Sequence, residues 1–228
     1  MKKIFFYFSL IAGFNVLAQT DVPKESGSEI YWNIGAHSPY IQPLNDLIVA
    51  AGFPMLKTTS YSAGFSYVQF SKKDIVTEQE LFYYNLQSKN DSLTSNMRNI
   101  SYGFSLFGYR YMDRKKLKMF STVGLIFNNS RVKVFENLTN DNSVASYLSG
   151  TANQHEMNTF NYNLNGTTHI NYYISFKKST TQLILGARAA YYLPLTTTKW
   201  SMDNAKLNNG PKINPGGYAV HLSIGMTL

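Results

Sequence analysis

The chain of 228 residues contains no cysteine, which removes disulfides, thiolate metal sites, cysteine nucleophiles and a lipidated N-terminal cysteine together. Charge is sparse, with Asp, Glu, Lys and Arg at 15% of residues. Past Ala18 no long apolar run exists; the nearest, Leu47 to Phe53, is far short of the ~20 residues a helix needs to cross a bilayer. A mature transmembrane helix is therefore excluded. No glycine-rich phosphate loop appears, and His155-Glu156 stands alone in a polar stretch, too sparse for a metal site. No cofactor and no metal are expected. The net charge of +8 raises the question of nucleic acid. However, Lys72, Lys73, Arg114, Lys115, Lys116, Lys118, Lys177 and Lys178 sit in or beside three short breaks in the hydrophobic pattern, where solvated turn residues belong. Nucleic acid is not an expected partner.

What the chain does have is aromatic residues, 17 Tyr and 15 Phe, and an export signal. Met1-Lys2-Lys3, the apolar run from Ile4 to Leu17 and Ala18-Gln19 form a secretory signal peptide, so residues 1–18 are expected to be removed and 19–28 to form a short polar leader. The rest, residues 29–228, is dominated by two-residue alternation. From Tyr218 to Leu228, Tyr218, Val220, Leu222, Ile224, Met226 and Leu228 are apolar while Ala219, His221, Ser223, Gly225 and Thr227 are small or polar. A tilted strand of about 9 to 11 residues of this kind spans a bilayer with one face in lipid and the other in a lumen.

The same pattern recurs eight times: near Ile30 to His37, Thr58 to Phe70, Ile75 to Gln87, Ile100 to Met112, Leu117 to Phe135, Thr159 to Phe176, Leu183 to Leu193 and Tyr218 to Leu228. Tight turns are expected at Ser71 to Asp74, Asp113 to Lys116 and Lys177 to Thr180. Longer polar loops are expected at Pro39 to Lys57, Ser88 to Asn96, Glu136 to Asn158 and Thr198 to Gly217. Pro43 at the start and Gly52 past the end of Leu47 to Ala51 predict a short helix in the first loop. Glu78 and Glu80 share a parity with Phe82 and Tyr84, and a bulge is the expected remedy in strand three. The outer ends of strands five and six, Ser130 to Phe135 and Thr159 to Leu164, look long enough to protrude as a hairpin. The fold class is thus all-β: an eight-stranded antiparallel up-and-down transmembrane barrel with a short helix in its first outer loop. A soluble β-sandwich would share much of the composition.

An eight-stranded barrel is just wide enough for side chains to fill. Tyr31, Asn33, His37, Ser62, Ser66, Ser101, His169, Tyr173, Arg188, Tyr192, His221 and Ser223 are the expected inward set. Arg188 lies mid-strand, where pointing it into lipid would cost about 2 to 4 kcal/mol, so it must turn inward and take a partner. Glu78 and Glu80 are the candidates, as a structural pair or as a handler of protons or ligand. His221 and Ser223 share a face, but i and i+2 strand residues meet the geometry of a nucleophile and its base only loosely.

The Lys2-Lys3 start and the Leu17-Ala18-Gln19 junction resemble signals of Bacteroidota, and the eight-strand plan resembles their small outer-membrane β-barrel proteins. Pro43 to Leu47 through Gly52-Phe53-Pro54 is similar to a helix in the first loop of those proteins. The resemblance implies the cell outer membrane, with its lipid and lipopolysaccharide as surroundings, and supplies no functional residue. Asp91-Ser92-Leu93 resembles the O-glycosylation signal of that phylum, whereas the Asn128, Asn137 and Asn165 sequons mean little in a bacterium. His221 with Ser223 resembles the pair used by small lipid A deacylase barrels. The expected function is non-enzymatic: a structural barrel or one whose outer loops bind a surface protein or glycan. A small selective or transport-associated channel is the alternative, and a lipid-modifying enzyme using His221 and Ser223 a more distant one.

Overall fold

A computed structural model describes residues 27–136, 154–176, 180–196, 199–202, 205–207 and 210–228. The signal peptide, most of the leader, Asn137 and Lys177 to Ser179 lie outside them. Ten strands form in chain order: β1 Gly27–Tyr40, β2 Ser60–Phe70, β3 Val76–Lys89, β4 Leu93–Arg114, β5 Leu117–Glu136, β6 Gln154–Ser175, β7 Gln182–Pro194, β8 Lys199–Met202, β9 Ala205–Leu207 and β10 Asn214–Thr227, with one helix, α1 Gln42–Ala50, after β1. Each of β1 to β7 pairs antiparallel with its sequence neighbour, β7 pairs with β10, and β10 returns to β1. These eight strands close the barrel, and no barrel edge is left open. Both ends of the described chain lie at one end of the barrel, here the lower end, and α1 lies at the upper.

The structure corrects several expectations. Strand three has no bulge: β3 pairs in unbroken register from Phe70↔Val76 to Ser62↔Tyr84. Glu78, Glu80, Phe82, Tyr84 and Leu86 all point inward and are buried. The mixed parity reflects a lumen that changes character with height, not a slipped strand. Irregular register occurs instead in β4, between Ser105 and Phe107 and between Arg110 and Met112. The expected loop from Ser88 to Asn96 shrinks to Asn90-Asp91-Ser92, because β3 and β4 continue pairing up to Lys89↔Thr94. Likewise β6 begins at Gln154, inside the expected loop from Glu136 to Asn158, and pairs with β5 up to Phe135↔Gln154. The last loop holds the β8–β9 hairpin, whose β8 pairs with Asn158 to Phe160 of β6 above the end of β7.

The helix forms as its ends predict, with Pro43 in the first turn and Gly52 at φ +85° just beyond the last. Its buried face, Leu44 and Ile48, joins Ile41, Leu56, Tyr84, Leu86, Met97, Val132, Val134, Trp200 and Ile213 in one apolar cluster that fills the upper mouth. Asn45 holds the return loop to the helix, donating from Nδ2 to Leu56 O (3.1 Å) and accepting from Leu56 N at Oδ1 (3.0 Å). A second apolar cluster, Tyr31, Val68, Phe70, Val76, Phe120, Tyr173 and Ile184, fills the lower mouth.

Candidate functional site: the charged lumen

Between these two apolar layers the lumen is mostly polar, with a small apolar cluster of Ile126, Ala190, Tyr192 and Ala219 on one side. The twelve residues expected to face inward are all buried. Strand pairing sets His169, Arg188 and His221 side by side across β6, β7 and β10. From this row Arg188 reaches across to β3. Its Nη2 donates to Glu80 Oε2, its Nε lies 3.7 Å from Glu78 Oε1, and its Cζ stands 4.7 Å over the Phe82 ring. Its Nη1 lies 3.4 Å from both Tyr192 Oη and His221 Nδ1.

The two carboxylates have different surroundings. Glu78 accepts from Thr122 Oγ1 (2.8 Å) and Thr167 Oγ1 (3.1 Å), and His169 Nε2 lies 3.2 Å from its other oxygen. Glu80 accepts from Asn165 Nδ2 (2.7 Å) and otherwise relies on Arg188. Gly103 stands beside Glu80 in the β3–β4 register. A Cβ there would meet Glu80 Oε1 at 2.7 Å and Cγ at 2.8 Å, so glycine makes room for the carboxylate.

His221 and Ser223 are not partnered with each other. Ser223 Oγ donates to Asn33 Oδ1 (2.6 Å), and His221 Nε2 meets Ser62 Oγ (2.7 Å). Arg188 can only donate, so a hydrogen bond from it to His221 Nδ1, 3.4 Å away, makes that nitrogen the acceptor and puts the ring proton of a neutral imidazole on Nε2. In that tautomer His221 donates to Ser62 and cannot take its proton. A nucleophile–base pair needs the opposite arrangement, with a third group orienting the base.

Three parts of this network are missing from the inward set expected from the sequence. Glu29, buried below, accepts from Tyr173 Oη (2.7 Å) and Tyr31 Oη and lies 3.2 Å from Lys118 Nζ. Arg110, buried in β4, bridges Asp74 (3.1 Å) and Asp113 (2.8 Å). Asn128 and Asn165, which head two of the sequons, are lumenal, and Asn128 joins Asn99, Ser101 and Ser130 in a chain of side-chain hydrogen bonds. Parity would have placed the Asn pair inward; the tripeptide motif drew attention from it. Among the described residues no group of three His, Asp or Glu side chains could hold a metal ion. Outside the lumen, His155 is exposed, and Glu156 bonds to Lys133 Nζ (2.6 Å) and Arg131 Nε (3.0 Å) on the outer wall.

No protein family and no curated protein matches the chain. Among solved structures it is similar to a major outer membrane protein of Thermus thermophilus, with 8% identity over 88% of this chain and 98% of that one at a TM-score of 0.51. Ail of Yersinia pestis aligns with 9% identity over 91% and 100% at 0.43, and Neisserial surface protein A with 13% over 89% and 95% at 0.38. At such identities the likeness concerns the backbone alone: the chain has the fold of small outer-membrane β-barrels.

Proposed function

We propose that this chain is an outer-membrane β-barrel, exported by a cleaved signal at residues 1–18, whose lumen is a structural core and whose upper rim meets a surface protein or glycan. The observation that carries the reading is a reversal of polarity along single strands. On β4 the outward side chains pass from Tyr102 and Ile100 to Arg98, while the inward ones pass from Ser101 and Asn99 to Met97. On β5 they pass outward from Phe127 to Arg131 and Lys133, and inward from Asn128 and Ser130 to Val132 and Val134. Polar inside and apolar outside suits a wall in lipid; apolar inside and charged outside suits a wall in water. A lipid–water boundary near the Ile100 row satisfies both halves. From Ile100 to Tyr109 the strand covers roughly 30 Å at about 3.4 Å per residue, or about 23 Å of height at a tilt of about 40°, close to the ~25 Å apolar band of such barrels.

A barrel that had only to span the membrane could end its strands at that boundary. Here β4, β5 and β6 run past it, and α1 with the β8–β9 hairpin gives the projection its own apolar core. This supports a role at the cell surface, with both termini on the periplasmic side. The Arg188 pairs are read as structural, and the apolar layers at both mouths count against a channel despite the lumenal charges. The His221 tautomer counts against lipid hydrolysis. Fractionation and gel mobility test the location: the protein should be recovered with outer-membrane fragments and migrate differently before and after boiling in SDS. Recovery in the soluble periplasm refutes it. Surface crosslinking tests the role. Deleting Asn140 to Gly150 should leave heat-modifiability unchanged and abolish a crosslinked partner. A wild-type chain that crosslinks to nothing refutes the interaction reading and leaves the barrel reading intact.

A further inference from the structure

We infer that the outward wall of β4, β5 and β6 just above the apolar belt is a binding site for the phosphorylated headgroup of an acylated glycolipid in the outer leaflet. The inference rests on the orientation proposed above. Arg98 and Arg131 are direct cross-strand partners, and both are exposed. Like charges so placed repel one another and weaken a sheet. Arg131 turns its Nε toward Glu156 (3.0 Å) and Asn158 (3.3 Å), and Lys133 takes the other Glu156 oxygen. Glu156 is the one acidic side chain among the described outward residues of these rows, and it bonds to Arg131 and Lys133 but not to Arg98. Arg98 therefore has no carboxylate partner among the described residues, and Lys199, exposed beside Phe160, adds another cation to the ledge.

An anion lying between the two guanidinium groups would turn the repulsion into paired charge-assisted hydrogen bonds, the geometry in which Arg binds phosphate. Directly below lies an aromatic platform. Phe127 and Tyr162 meet edge to face at 5.3 Å, Phe160 and Tyr162 at 5.0 Å, and Phe104 lies 6.0 Å from Phe127. Ile100 and Tyr102 flank it, exposed. Cations above and rings below, on one continuous wall at the lipid boundary, match an amphiphile with a phosphate at its head and acyl chains beneath. A soluble polyanion would have no use for the rings.

The test uses the purified full-length barrel in non-ionic micelles and counts bound lipid by native mass spectrometry. Diphosphoryl lipid A should be retained over dephosphorylated lipid A and phosphatidylcholine. The double variant Arg98→Gln/Arg131→Gln should weaken retention by roughly thirtyfold, while Lys72→Gln/Lys73→Gln at the lower turn should not change it. Equal retention by the wild type and the ledge variant overturns the proposal, as does equal retention of phosphorylated and dephosphorylated lipid. Ledge-dependent binding of free inorganic phosphate or of heparin that matches or exceeds lipid A binding overturns it in favour of a soluble anion. Heat-modifiability, read on every sample, separates these results from a failure to fold. Because the assay needs no cell, it is independent of whether fractionation supports the outer-membrane reading.

Discussion

Replacing Arg188 by Met keeps most of the side-chain volume and removes the cation shared by Glu78 and Glu80. The two carboxylates should suffer unequally. Glu78 keeps the Thr122 and Thr167 hydroxyls and the neighbouring His169, whereas Glu80 keeps Asn165 alone. Removing one partner of a buried pair costs about 3 to 5 kcal/mol, mostly through the charge left behind, and the expected loss for Arg188→Met lies in that range. If the stranded Glu80 is the main cause, Arg188→Met/Glu80→Met should be less destabilised than Arg188→Met alone, and the coupling measured with Glu80 should exceed that with Glu78. The assay is urea unfolding of the barrel in lipid vesicles, followed by tryptophan fluorescence from Trp32 and Trp200 and by gel mobility, with linear extrapolation. Losses that add across the Arg188 and Glu80 substitutions to within about 0.5 kcal/mol would falsify the argument, since groups sharing one network should not behave independently.

Gly103→Ala should cost about 1 to 3 kcal/mol in the same assay by pushing Glu80 off its position, and the cost should shrink in a Glu80→Ala background. Asn45→Ala removes both hydrogen bonds to Leu56; it should raise amide exchange and protease cleavage in the first loop while leaving heat-modifiability unchanged. The Lys133 ammonium holds the Glu156 carboxyl below its usual 4.5, so the pair's contribution is present above that value and is lost as pH falls through the lower, folded-state one. Its size is that of a solvent-screened pair, within about 1 kcal/mol, and a Glu156→Gln variant should show a flatter acid limb in an unfolding series. In planar bilayers the protein should give no large stable conductance; a steady, wide channel would show that the two apolar layers do not seal the lumen.

Alternation made the barrel legible because a strand wall between two media leaves its period in every second residue. It made the inward set legible for the same reason, from Tyr31 to Ser223. Arg188 stood out because a mid-strand cation has only one place to go. Glu29 and Arg110 did not, since they lie near strand ends where either face is tolerable to a charge. Their burial comes from partners far apart in sequence, Lys118 for Glu29 and Asp74 for Arg110. The upper region misled for a different reason. Ser88 to Asn96 is polar by composition and reads as a loop, yet most of it forms a paired wall, because Leu86 and Met97 turn inward against an apolar cap built by α1 and Trp200. That cap is a tertiary fact, and no local window of sequence contains it.

The polarity reversal also answers a question that alternation leaves open. A slip of one residue between neighbouring strands exchanges the two faces and would turn Arg188 or Glu78 into lipid, so alternation forbids it. A slip of two preserves the faces and is invisible to alternation. It is not invisible to the reversal. Moving β4 by two residues against β5 would bring Arg98 down toward the row of Phe127 and Tyr162, or lift Asn99 into the apolar layer of Leu86 and Val132. Either shift buries a polar group without a partner, at a cost of roughly 1 to 3 kcal/mol each. Alternation therefore fixes which way each side chain faces, and the reversal fixes the height at which each strand stops. An Arg98→Leu/Met97→Asn exchange, which moves the reversal on β4 without disturbing its period, should leave the strand content intact while broadening the unfolding transition. If that variant folds as cooperatively as the wild type, register is held by the turns and the lumenal hydrogen bonds alone.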